Sequence, residues 1–67
     1  MSILKVIEIL ANSNKSWEDA TKKAVKEAAA TVKNIKSVYV KEHSATVKNG
    51  DIDEYRVNVK ITFEVNH

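Results

Sequence analysis

The dipeptide Asn49-Gly50 lies between two long segments in which apolar residues recur at every second position, and this feature narrows the choice of folds more than any other. Alternating segments around Asn-Gly signal a β-hairpin, because a two-residue type I′ turn needs positive φ at both central positions and these two residues tolerate it. Lys36 to Val47 and Ile52 to Val65 are therefore expected to be paired strands. In the second of them Tyr55, Val57, Val59, Ile61, Phe63 and Val65 point one way and Glu54, Arg56, Asn58, Lys60, Thr62 and Glu64 the other, giving an apolar and a polar face. A two-residue turn pairs Val40 with Val59 and Val38 with Ile61 on the apolar face. Ser37, Tyr39, Lys41 and His43 then stand opposite Thr62, Lys60, Asn58 and Arg56 on the polar one. A bulge near Ser44 would shift this pairing by one residue.

Upstream, Ile3 to Leu10 is a β-branched apolar run interrupted by Lys5 and Glu8, which suits a strand. Asn12 to Lys15 has the chemistry of a turn. Ser16-Trp17-Glu18-Asp19 then reads as a helix entrance: a serine N-cap followed by acids facing the positive end of the helix dipole. Trp17, Ala20, Ala24, Val25, Ala28 and Val32 fall on one stripe, while Glu18 and Lys22 make an i,i+4 pair in the favoured order. A stripe made mostly of alanine must lie close to what it covers, and the sheet is the surface available. The expected fold is α+β: a single domain over residues 1–67 with the order β-α-β-β and a three-stranded antiparallel sheet wrapped around one helix.

At 67 residues the chain belongs to a size class whose core rarely supplies more than about 3 to 5 kcal/mol, so further stabilisation is expected. No cysteine is present, which excludes disulfides, thiolate zinc sites and thiol catalysis. Self-association is the stabiliser that remains, through the unprotected strand edges and the second face of the sheet. Ten lysines and Arg56 oppose nine acids for a formal net charge of +2, too even a balance for a nucleic-acid reader, which would cluster arginines among aromatics. No apolar run reaches the ~20 residues of a membrane span, and the start MSILKVIEIL lacks a basic leader, so a cytoplasmic location is expected.

VIEILANSNKSWEDATKKAVKEAAATVKNIKSVYVKE, followed by YRVNVKITFEV, resembles the dodecin family over nearly the whole chain. The resemblance rests on Glu8 in strand one, the Ser-Trp-Glu helix entrance, the Asn-Ile pair after the helix and Tyr55 before the last strand. It implies a hollow shell of twelve identical subunits that stores or sequesters a small ligand, in many members stacked flavins such as riboflavin or FMN. Flavin-binding members carry a stacking tryptophan where this chain has Ser37, a hydrogen-bonding glutamine where it has Arg56, and in bacteria often an arginine that aligns with Ser44. With all three changed, the resemblance is to a group without the stacking tryptophan, one member of which binds calcium. A weakened flavin site follows.

Other groups fit blander roles. Trp17 is expected to be a buried core anchor, not a stacking platform. Arg56 and His43, as register partners, offer either an anion site or salt bridges between subunits. Tyr39 on the same face offers either a weak stacking surface or an interface contact. Asp51, Asp53 and Glu54 supply the hard oxygens that calcium prefers but lack the spacing of a calcium loop. Ser13, Ser16 and Ser37 share only His43 and the terminal His67, and no nucleophile elbow or phosphate-cradling glycine loop occurs, so no enzyme is expected.

Overall fold

The computed structural model describes residues 3–65. The terminal His67 lies outside them. Strand β1 (Ile3–Ser13) leads into helix α1 (Trp17–Ala29), and β2 (Ile35–Lys48) and β3 (Asp51–Val65) form the hairpin. The sheet order is β1-β3-β2, with β3 antiparallel to both neighbours. The expected β-α-β-β fold is thus present, and the last strand is inserted between the two that the helix connects. Asn49 and Gly50 close the hairpin with φ of 54° and 82°, the positive values a type I′ turn demands.

Ser16 caps the helix as expected, its Oγ accepting the Asp19 N–H at 2.9 Å. Strand β1 runs three residues farther than its apolar pattern. Its last residue, Ser13, is buried because its Oγ accepts the Lys15 N–H and donates to the Asp19 carboxylate, fastening the strand end to the first helical turn. The i,i+4 ion pair formed is Lys23–Asp19 at 3.4 Å, in place of the expected Glu18–Lys22. The helix stops at Ala29, so Val32 packs on the core from the turn that follows.

The core is Ala20, Ala24 and Ala28 against Val57, Val59 and Ile61. Small helix residues let the helix axis approach β3, where the branched side chains provide the volume. Ile7, Ile9 and Ala11 of β1 close one side of this core. The helix covers β1 and β3 and leaves much of β2 bare, with Val38 and Val40 near 40% exposed.

The register holds at the turn and from Ser37 to Val40, fails in between, and slips once more at Lys36, so that Ile35 faces Phe63. Val38↔Ile61, Val40↔Val59, Ser37↔Thr62 and Tyr39↔Lys60 pair as the two-residue turn predicts. Between the turn and Val40, however, two bulges intervene. One lies in β3 between Ile52 and Glu54, and the other in β2 between Val40 and Glu42, at Lys41 and not near Ser44. Because they sit on opposite strands, their shifts cancel beyond Lys41. Between them the pairing is displaced by one, so His43 faces Val57 and Ser44 faces Arg56. A one-residue shift moves a side chain to the other face of the sheet. His43 therefore joins the helix side, and the expected His43–Arg56 pair does not form.

Candidate functional site

The face turned away from the helix, here the outer face, carries the positions singled out from sequence. Ser37 and Tyr39 lie opposite Thr62 and Lys60, and Ser44 lies directly opposite Arg56. The Lys41 bulge is what brings Ser44 to this face; without it Ser44 would have pointed at the helix side. Arg56 is anchored from β1, its Nε donating to Asn12 Oδ1 at 3.0 Å. That bond leaves the terminal guanidinium N–H groups free to point along the surface. Tyr39 is 64% exposed, so its ring is available for contact.

Charges cross the middle of this face. Lys41 reaches over β3 to Glu8 of β1 at 3.6 Å. The hydrogen bond from Asn58 holds the Glu8 carboxyl below its ordinary range, and the positive charges of Lys41 and Lys60 act in the same direction. Among the described residues the buried Asn58 Oδ1 meets no donor, which leaves an acceptor on the central strand open to one. Leu4, Val6 and Leu10 flank this network as an apolar ridge more than half exposed.

The helix side holds a second feature that sequence reading missed. A cleft of about 310 Å³ opens between the helix entrance and β2, lined by Ser16, Trp17, Glu18, Thr21, Val40, His43 and Val57. Trp17 is a wall of this cleft, 37% exposed, and not the buried anchor expected. Its Nε1–H donates to the Ser44 carbonyl at 2.7 Å, and its ring meets His43 and Tyr55 edge-on at centroid distances of 5.4 and 4.8 Å. Helix position N1 projects past the alanine stripe toward the hairpin, where these polar contacts hold it at the core's rim. No local signal announces this, since it depends on the bulge that turns His43 inward.

The chain matches the family model described as Dodecin over residues 3–66. The chain belongs to the dodecin family. A curated relative, calcium dodecin of Mycobacterium tuberculosis, is 34% identical over 65 residues, covering 97% of this chain and 92% of its own. A crystal structure of that calcium-chelating dodecin superposes with a TM-score of 0.84 at 35% identity, covering 97% of this chain and 93% of its own. A tryptophan-to-phenylalanine variant of Thermus thermophilus dodecin shares the fold more closely, with a TM-score of 0.95 over all of both chains at 24% identity. Dodecin from Streptomyces coelicolor gives 0.94 at 20%, over 98% of this chain and 94% of its own.

Two ligands can be tested against these residues. For a flavin, Ser37 presents no ring, and Arg56 offers donors only, where a flavin edge presents both a donor and acceptors. For calcium, no three His, Asp or Glu side chains converge among the described residues. One copy of the chain thus provides no carboxylate cage of the kind calcium favours.

Proposed function

We propose that this protein assembles into a closed dodecin shell of twelve copies that binds and sequesters a small ligand on the outer face of its sheet, without catalysis and in the cytoplasm. Ser37, Tyr39, Ser44 and Arg56 contact that ligand, and His43 does not. The observation that supports assembly is surface area. The chain exposes 5068 Å², whereas a compact monomer of its 7.5 kDa exposes about 4,250 Å². The excess of about 800 Å² equals one partner's share of a standard protein interface. Flavins bind this face weakly, because Ser37 removes stacking area and Arg56 removes the paired donor and acceptor. Native mass spectrometry of protein purified without added ligand tests the proposal: a species near twelve chain masses with no retained flavin is expected, and a monomer at micromolar concentration refutes it.

The 34% identity to a calcium dodecin favours a second reading, a shell that holds calcium. Since one copy lacks a convergent acidic set among its described residues, such a site draws its oxygens from more than one copy. Calcium titration of the intact shell and of its dissociated subunits separates the two readings. Binding confined to the shell supports the second, and no binding to either removes it.

A further inference from the structure

The hairpin outruns the rest of the molecule. β1 ends at Ser13, opposite Tyr55, and Trp17 at the helix entrance sits over that level, so residues 45–54 extend as a ribbon of two strands with neither a third strand nor the helix against them. The molecule accordingly measures 51 × 19 × 13 Å, although a helix of 13 residues is only about 20 Å long. An isolated two-stranded ribbon is marginally stable in water. This one also carries an exposed apolar pair, Val47 at 68% and Ile52 at 49%. The β3 bulge before Glu54 places Ile52 beside its partner Val47 on the helix side instead of the outer face.

We infer that this arm is a clasp between subunits: Val47 and Ile52 of one copy seat on the bare helix-side trough of Val38, Val40 and the Trp17 cleft of a second copy. The inference rests on the shell proposed above and names one of its contacts. On the helix side two apolar surfaces among the described residues are left unpartnered, one projecting and one concave, and neither can reach the other within a molecule; the Leu4, Val6 and Leu10 ridge lies on the opposite face of the sheet. Val40 and Val47 are seven positions apart on one strand, about 23 Å at ~3.3 Å per residue. Charge favours the same match. Asp51, Asp53 and Glu54 outweigh Lys48 along the arm, while the trough opens at the positive pole of α1, with Glu18 as its one charged lining residue.

The absence of cysteine makes the contact testable in the assembled protein. In Val40→Cys/Ile52→Cys, the ~23 Å separation far exceeds the ~7 Å Cα limit of a disulfide, so any bridge between the two positions joins different chains. Mild oxidation is expected to convert at least half of the chains into disulfide-linked species on a non-reducing denaturing gel. The two single-cysteine variants set the background. Ile52→Asp is expected to keep the helix and sheet signature in circular dichroism while lowering the twelve-copy fraction in native mass spectrometry at least tenfold. Linked species at or below the single-cysteine background, or an intact shell for Ile52→Asp, overturns the clasp and leaves the shell standing. A wild-type protein without a twelve-copy species refutes the shell itself.

Discussion

The two halves of the β2–β3 hairpin obey one sequence rule and meet opposite fates. Under the helix, Val57, Val59 and Ile61 are at most 1% exposed; in the arm, Val47 lies on the same face of the sheet and is 68% exposed. Alternation reports which face a side chain joins and says nothing about whether that face is covered. Cover is supplied by α1, whose length stops it at Tyr55, and beyond that point only another molecule can supply it.

The sharpest way to break this comparison is to truncate one residue in each half. Ile61→Ala is expected to cost about 2 to 5 kcal/mol, because the site is fully enclosed and its neighbours cannot collapse into the gap. In a domain of this size that unfolds most of the chain, and a urea titration followed by circular dichroism measures it. Ile52→Ala is expected to cost the isolated subunit less than about 0.5 kcal/mol. Equal costs would show that the arm is covered within its own subunit.

Trp17 marks the border between the halves, and Trp17→Ala is expected to cost about 2 kcal/mol, less than a fully buried tryptophan, since 37% of the residue already meets solvent. The lost bond to the Ser44 carbonyl accounts for about 1 kcal/mol of that figure. If the variant were as damaging as Ile61→Ala, the covered half would extend farther toward the turn.

At the tip, Gly50→Ala is expected to cost about 1 kcal/mol. An added Cβ would meet no atom within 4 Å, so strain at φ of +82° is the sole source of the loss. A neutral result would mean that the arm's turn relaxes freely, unlike anything under the helix.

The smallest expected effect is electrostatic. Glu8 and Asp19 both have carboxyls held below their ordinary range in the folded chain, Glu8 chiefly by the Asn58 hydrogen bond and Asp19 chiefly by that of Ser13. A lowered folded-state value means the unfolded state binds protons first as pH falls. Their contribution is therefore present above the ordinary carboxylate values and is lost as pH drops through the lower folded ones. Both groups lie level with the covered half, so their acid-sensitive stability is expected there, and a profile of thermal stability against pH for Glu8→Gln and Asp19→Asn, each flatter at low pH than the unmodified protein, checks it. Salt should weaken the Glu8 share through Lys41 and Lys60 and spare the Ser13–Asp19 bond.

Much of the covered half was legible in advance. Asn49-Gly50 announced the hairpin, Ser16 the helix start, and the alanine stripe the close approach of helix to sheet, because each is a local rule of backbone conformation or periodicity. The outer-face positions were legible only in part. Ser37 and Tyr39 fell where the simple register puts them, whereas His43 and Ser44 exchanged faces. A bulge leaves no mark in the residue pattern when a second one on the partner strand cancels it, since the far register still agrees with the turn.

The sequence by itself determined the elements, their order, the turn and the apolar face of β3, all through interactions between residues near in the chain or through a period of two. Tertiary structure alone decided the insertion of β3 between β1 and β2, the bulges in the hairpin, and with them the placement of Trp17 against His43 and of Ser44 against Arg56. A bulge adds twist and bend to a strand. How much twist a sheet needs depends on the helix it must wrap, a relation between residues far apart in the chain that no local pattern encodes.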